Sequence, residues 1–407
     1  MDFEFDEDQN MFRESIREFL EKEISPLVDE QEKKGPMTKE EAIAVFKKFK
    51  KVGIALDLES IKELAADPVT IGIMAEEMSR VWPSATAIIG LSFPAALISF
   101  ASEEMMRRLL PKVKRNELIG CYAITEPEAG SDNRAMQTTA VLDGDEYVVN
   151  GSKTWISNGP IADLCMLVCN DENKERIFLL VDKEVSPFDT GELHKLGWRA
   201  DPTGELFFDD CRVPKENNVM EMVGNFIADP DRLAELTGES DASKYMGIIG
   251  GMSPENIIFA FLRSGMALMS AGISQAALDD SIKYVKERAQ FGRPIGKFQL
   301  IQEMLYNMTV LTESSRLLGY RALTLALSGS PKSRLASSLA KGHACDAAVK
   351  VTYDAIQIHG GNGLSDEYPL ERYFRDARML TIPDGTSEIQ KLIVGRELLG
   401  KGFSAYV

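Results

Sequence analysis

The spacing of apolar residues changes twice along this chain, and that double change limits the fold more than any single motif. From residue 1 to about 118 the spacing is helical: Phe3, Phe12, Ile16, Phe19, Leu20 and Ile24 lie near the 3.6-residue period with charges between them. Ala42 to Val52 continues the pattern with a Lys-rich outer face, and Ser102 is placed to cap a helix whose first turn carries Glu103 and Glu104. From about Gly120 to Val223 the pattern is that of strands. Val141 to Val149 is two β-prone arms around Asp143-Gly144, a hairpin signal, and Asp163–Val168, Ile177–Val181 and Glu205–Asp209 are further short apolar runs. From about Ser253 helical spacing returns in three long segments: Leu262 through Arg288, Phe298 to Leu327, and Ser333 to Ile358, the last stopped by Gly360-Gly361-Asn362-Gly363. The expected class is α+β, with an N-terminal α-helical domain (1–118), a middle antiparallel, β-barrel-like domain (119–225) and a C-terminal helical bundle (226–407). Glu216 to Pro254 fits none of these periods; it reads as a solvated connection between domains, with a lid or wall beside a binding site as the sharper alternative.

Composition removes several function classes. A chain of 407 residues with a formal net charge of −17 is too acidic to present a nucleic-acid surface. The stretch Ala85 to Phe100 is interrupted by Ser92 and Pro94 and reads as too short for a bilayer, so no membrane association is expected. The acidic start Met1 to Asp6 carries no basic targeting region, which makes the cytoplasm the expected location. Five cysteines in so long a chain do not form a disulfide framework. Cys165 and Cys169, roughly 13 Å apart on a strand, read as buried core thiols. His194, His343 and His359 are scattered without metal-ligand spacing, so no metal is expected.

One acid stands apart. In Thr381 to Gln390, Asp384 precedes Gly385-Thr386, between the basic segment Arg372 to Arg378 and an apolar helical run from Ile389. Glycine lets backbone and ligand approach closely, so the carboxylate is a candidate for contact with a substrate. The bland alternative is a turn or N-cap aspartate.

Five motifs occur in order: Tyr122-Ala123-Ile124-Thr125-Glu126-Pro127-Glu128-Ala129-Gly130-Ser131-Asp132, Asn150 to Gly159, Glu287 to Gly292, Gln357 to Gly363, and the Asp384 turn. Together they resemble the successive signatures of the FAD-dependent acyl-CoA dehydrogenases, over essentially the whole chain. The resemblance implies that family's fold, with a C-terminal four-helix bundle, and FAD as cofactor. It implies that Tyr122, Ile124, Thr125, Gly130 and Ser131 contact FAD, with Ser131 also near substrate. Trp155 and Ile156 would cover the flavin, and Ser157 would direct its hydroxyl toward flavin N5. Arg288, Gln290, Phe298, Gln299, Gln357, Ile358, Gly360 and Gly361 would reach the FAD pyrophosphate of a neighbouring subunit, a task suited to Arg. Read without the resemblance, Trp155 is a core tryptophan and Arg288 a helix C-terminal charge. Thr386 and Glu388 complete the implied FAD contacts, and Phe261, Arg263 and Gly385 join Ser131 and Asp384 at the substrate. A homo-oligomer, a tetramer in most relatives of this length, and an electron-transfer flavoprotein as electron acceptor are the implied partners.

The family places Glu where this chain has Asp384. Aspartate is shorter by one methylene, roughly 1.3 Å of reach, and its reference pKa is lower by about 0.4. Reach is the larger effect, since a misplacement near 1 Å can cost about a hundredfold in rate. Some relatives place the base on the helix before Arg263, but Leu262 stands there and cannot serve. Asp384 is therefore the expected base. Aspartate at this place resembles the alicyclic branch of anaerobic ring metabolism, which implies cyclohexane-1-carboxyl-CoA oxidised to cyclohex-1-ene-1-carboxyl-CoA. A bulky ring fits the shorter base and Pro383 in place of the usual tyrosine. Short linear acyl-CoA thioesters and a nitroalkane oxidase-like reaction are the alternatives. The wall Ile88 to Phe100 contains no carboxylate, which favours α,β-dehydrogenation over a 1,4-elimination; Phe93, Pro94 and Leu97 within it would set pocket depth.

Overall fold

The computed structural model describes residues 4–57, 59–60, 67–237 and 254–405. The N-terminal region is helical: α1 (Glu7–Phe19), α2 (Ser25–Lys34), α3 (Lys39–Phe49), α4 (Pro68–Val81), α5 (Pro83–Gly90) and α6 (Glu103–Lys114). Two starts are fixed by reciprocal capping. The Asp6 side chain accepts from the Gln9 N–H at 2.8 Å while Gln9 accepts from the Asp6 N–H at 3.1 Å, and Thr38 with Glu41 repeats the pattern on α3. Ser102 occupies the expected N-cap position of α6 with extended backbone, but its side chain makes no capping bond; only the favourable acids of the first turn remain.

The sheet runs β1 (Gly120–Ala123), β4 (Leu164–Asn170), β2 (Thr139–Asp143), β3 (Glu146–Ser157), β7 (Thr203–Pro214), β6 (Asp189–Leu193), with β5 (Arg176–Asp182) also on β4. The β2–β3 hairpin forms around Gly144, whose φ of 64° a turn residue without a Cβ accepts freely. The expected antiparallel pairing holds for β2–β3, β3–β7, β4–β5 and β6–β7, with two exceptions. β1 pairs with β4 in parallel, and β2 touches β4 in parallel at Thr139 and Asn170. The intervening β2–β3 hairpin is a connection long enough to bring the chain back in the same direction. β4 is buried along almost its whole length, and Cys165 and Cys169 sit inside it fully covered.

In the C-terminal region α9 (Pro254–Glu287), α10 (Gln299–Leu327) and α11 (Ser333–His359) pack together, and α12 (Leu370–Leu380) and α13 (Ser387–Leu399) lie against α11. Helix α4 leans on α9 so closely that a Cβ at Gly272 would lie 2.1 Å from the Glu76 carbonyl oxygen. Asn158 ties the regions together: its Nδ2 donates to the carbonyls of Ile88 (2.9 Å) and Gly120 (3.0 Å).

Two sequence expectations change here. Residues 219–228 are packed rather than a solvated connection: α7 (Val219–Ala228) buries Val219, Met222, Phe226 and Ile227, and Phe226 meets Phe100 edge-on at 4.8 Å. The helix α8 (Pro230–Thr237) follows, and residues 238–253 of that segment lie outside the described residues. By length and composition the 18-residue window Pro83–Phe100 meets the requirement for a membrane span, against the expectation that it is too short, as does Glu255–Glu287. Both are mostly buried within the protein, at 67% and 72%, as core helices are, and the first breaks at Gly90 before a 3₁₀ segment from Phe93.

Candidate active site

Asp384 sits in the turn between α12 and α13, at φ 54°, followed by Gly385 at φ 90°. Two successive left-handed residues need glycine at the second place, where a Cβ would also lie 2.8 Å from Gln390 Nε2. The helix cap is Thr386, whose hydroxyl accepts from the Ile389 N–H, so the capping reading of Asp384 is set aside. Three side chains from three helices clamp the turn by its carbonyls. Arg263 Nε of α9 donates to Asp384 O at 3.1 Å, and Lys341 Nζ of α11 donates to Gly385 O at 2.7 Å. Gln390 Nε2 of α13 donates to both, at 3.1 and 2.7 Å.

The carboxylate itself is left free. Asp384 Oδ2 is buried and has no hydrogen-bond partner. Burial pushes the Asp384 pKa above the usual aspartate value, against the opposing pull of Lys341 and Arg263. Lys341 is fully buried, and burial lowers its own pKa. Beside this turn Tyr122, at the end of β1, is buried with its hydroxyl unpartnered; burial, then the charges of Glu255 and Asp384, hold its pKa far above the ordinary tyrosine range. Phe93 meets Tyr122 edge-on at 5.8 Å, and Leu262, Leu97 and Ile124 belong to the same apolar cluster. Leu262 thus contributes wall, and Phe261 is turned to the exposed side. A restrained, desolvated carboxylate next to an apolar wall is suited to taking a proton from carbon.

The end of β3 is strained outward. A bulge between Lys153 and Ile156 puts Trp155 at φ 59° with 57% of it exposed, while Ile156 turns inward. This corrects the core-tryptophan alternative: the large ring is held open on a kinked strand and lies outside the core. Ser157 donates its hydroxyl to Asp201 Oδ2 at 2.8 Å. The neighbouring loop is stapled to β3. Glu126 accepts from the N–H groups of Gln137 (2.6 Å) and Thr138 (2.9 Å) and from Lys153 Nζ (2.7 Å), and the Thr154 N–H donates to Thr125 O at 2.9 Å. That leaves Gly130 and Ser131 exposed at the loop tip. An exposed indole, a small-residue loop tip and the unpartnered oxygens of Tyr122 and Asp384 fit a flat polar ring system such as a flavin.

The remaining residues form a second group. Arg288 follows α9, Gln290 lies in a short hairpin, Phe298 caps α10 and Gln299 starts it, and Gln357, Ile358, Gly360 and Gly361 end α11. Tyr284 joins these segments: its ring stacks on His359 at 4.1 Å, and its hydroxyl donates to His359 O at 3.3 Å. Arg293 lies over the Phe298 ring at 4.3 Å. From Arg263 to Arg288 the chain runs along α9, about 37 Å at 1.5 Å per residue. Asp384, Tyr122, Phe261 and Arg263 gather toward one end, with Gly385, Thr386 and Glu388 on the Asp384 turn; the Arg288 and Gly360 group stands at the other. The sequence reading missed Lys341, Gln390, Glu126, Lys153, Lys195 and Asp201. For Lys341 the available signal was a charge among the alanines and serines of α11.

Comparison with known proteins covers nearly the whole chain. The acyl-CoA dehydrogenase N-terminal, middle and C-terminal domain families match residues 6–117, 121–211 and 252–399. The short-chain specific acyl-CoA dehydrogenase of Clostridium acetobutylicum is 36% identical over 409 residues, covering 98% of this chain and 100% of that protein. Butyryl-CoA dehydrogenase from Megasphaera elsdenii superposes with a TM-score of 0.80 at 28% identity, over 98% of this chain and 100% of that one. An acyl-CoA dehydrogenase from Bacillus anthracis, solved with FAD, superposes with a TM-score of 0.78 at 26% identity, over 97% of this chain and 67% of that one.

Proposed function

The chain belongs to the acyl-CoA dehydrogenase family, FAD-dependent oxidoreductases, and from that premise we propose that it forms the α,β double bond of an acyl-CoA thioester with Asp384 as base. The observation that carries this reading is the buried, unpartnered Asp384 Oδ2 in a turn clamped by Arg263, Lys341 and Gln390. The α-proton goes to the Asp384 carboxylate, and the Cα–H electron pair becomes the second bond between Cα and Cβ. The Asp384 N–H polarises the thioester oxygen, which makes that proton acidic enough to leave. Bound FAD supplies the acceptor for the hydride released from Cβ. Trp155, Tyr122, Ser131 and Ser157 hold the ring, and the apolar wall of Tyr122, Phe93 and Leu262 excludes water from the acyl group.

For the acyl group we favour a ring-bearing thioester, cyclohexane-1-carboxyl-CoA, supported by a base one methylene short and by Pro383 beside it. A second reading, a short linear acyl group, is favoured by the names of the relatives above. Anaerobic titration of the FAD-loaded protein decides between them. Faster bleaching by cyclohexane-1-carboxyl-CoA than by butyryl-CoA supports the ring; the reverse order supports the linear reading. Bleaching by nitroethane alone would move the assignment to nitroalkane chemistry.

An electron-transfer flavoprotein is the proposed acceptor and the cytoplasm the proposed compartment, the latter supported by five unbridged thiols. A homo-oligomer, proposed as a tetramer, is supported by the separation of the two residue groups. In this reading the Arg288 and Gly360 group, about 37 Å of helix from Arg263, would serve a cofactor seated in another copy. Phe291 (94% exposed), Leu300 and Tyr306 leave apolar surface at that end for such a copy to cover.

A further inference from the structure

We infer that Asp201, held by Lys195, fixes the direction of the Ser157 hydroxyl, so that Ser157 accepts a hydrogen bond from reduced flavin N5 rather than donating one to the oxidised ring. The inference rests on the reading that Ser157 faces flavin N5. It starts from proton counting: a serine hydroxyl has one hydrogen to give. Ser157 Oγ lies 2.8 Å from Asp201 Oδ2, a carboxylate oxygen that can only accept when ionised. Asp201 is buried, and the Lys195 side chain, almost as buried, forms an ion pair with the same oxygen. Thr203 Oγ1 also donates to Asp201 Oδ2, at 2.9 Å, and accepts from Lys195. The other neighbour of the Ser157 hydroxyl is Thr203 Oγ1 at 3.4 Å, again on the inner side. The charge-assisted bond to the carboxylate is the shorter and stronger of the two, so the Ser157 proton points inward.

What Ser157 then offers outward is lone pairs. Oxidised N5 is an acceptor and finds no donor there. After a hydride has arrived N5 carries a hydrogen, and the Ser157 oxygen accepts from it. The cluster thus favours the reduced cofactor, and Asp201 and Lys195 are positioning residues that act through Ser157. Lys195 also donates to Asp201 O at 2.7 Å, which holds the 195–201 turn, so a structural role coexists and the test must separate the two.

The test is the midpoint potential of bound FAD, measured by spectroelectrochemistry in a thermodynamic cycle. Ser157→Ala in the wild-type background should lower the reduced-to-oxidised ratio about tenfold, a fall of about 30 mV for a two-electron couple. Ser157→Thr, which keeps the hydroxyl, should leave the potential in place. In a Lys195→Met/Asp201→Leu background, neutral overall like the pair it replaces, the freed hydroxyl can serve both redox states, and adding Ser157→Ala should shift the potential much less. A rise in potential for Ser157→Ala, or equal shifts in the two backgrounds, overturns the inference. Should the paired variant not fold, the sign of the single Ser157→Ala shift decides alone. Protein that binds no FAD at all would overturn the underlying site reading instead.

Discussion

Glu126 and Asp384 are both acids with buried carboxylate oxygens in turns of this chain, and the fold treats them oppositely. Glu126 is fully engaged: burial works to raise its pKa, but the Gln137 N–H, Lys153 and Thr138 outweigh it and hold the acid below the usual range. At Asp384 the hydrogen bonds go to the turn's carbonyls instead, the carboxylate gets none at Oδ2, and burial wins. The same chemical group is structure in one place and, in the proposed function, reagent in the other, and the difference lies in where the neighbouring donors point. An orphan oxygen alone does not make a base. Asp376 Oδ2 is also unpartnered, and burial followed by the nearby Glu32 charge pushes its pKa up to about 7, but its other oxygen is fixed by the Trp198 N–H at 2.7 Å. What sets Asp384 apart is the combination with a strained turn and an apolar wall.

The contrast breaks most directly at Asp384→Asn. Thioester-driven flavin bleaching should fall by about 10²–10⁴-fold, the share of a general base, in stopped-flow reduction, with FAD content unchanged. Stability should move the other way. A folded pKa raised above the ordinary value of 3.8 means a contribution present below 3.8 and lost as pH rises through the folded value. The asparagine variant should therefore gain thermal stability over the wild type at neutral pH. Unchanged bleaching would remove Asp384 as base. At Glu126→Gln the opposite pattern is expected: a loss of about 3–5 kcal/mol, because Lys153 is left buried without its carboxylate, seen as a lowered unfolding temperature and release of FAD. A variant as stable as wild type would mean the Glu126 pair is not what holds the loop.

Much of this was legible in the sequence. The three-part order followed from periodicity, the β2–β3 hairpin from Asp143-Gly144, and the prominence of Asp384 from its place beside Gly385. What was hidden is three-dimensional in origin. Lys341 is 43 residues from Asp384 and reaches its turn only because α11 packs against α13. The outward indole of Trp155 depends on a bulge that no residue pattern in β3 announces. The parallel pairing of β1 with β4 joins strands separated by a hairpin, which local pattern cannot register. Residue types named the candidates; packing decided which oxygens were left unpaired.

Asp384→Glu sharpens the substrate side of the comparison. One added methylene extends the base by roughly 1.3 Å, enough for a change of about a hundredfold where the reacting atoms are separated by that distance. The ratio of bleaching rates for cyclohexane-1-carboxyl-CoA and butyryl-CoA should move toward the linear thioester. A ratio that does not move would detach acyl choice from the length of the base and leave it to the wall of Phe93, Leu97 and Tyr122.

The smallest expected effect is the most specific to the Asp384 turn. Proton abstraction needs the carboxylate ionised, so with a raised pKa the rate of flavin reduction should fall on acidification at a pH above the ordinary aspartate value of 3.8. Lys341 opposes that rise, by charge, without touching the carboxylate; its bond goes to Gly385 O. Lys341→Met keeps the length of the side chain and removes both the charge and the bond. Loss of a positive neighbour disfavours the ionised acid, so the acidic limb of the pH–rate profile should move to higher pH. Lys153→Met, which removes an equally buried lysine from Glu126, should weaken the fold and leave that limb in place. If the limb stays fixed in Lys341→Met, Lys341 holds only the backbone of the turn, and the charge that restrains Asp384 is that of Arg263 alone.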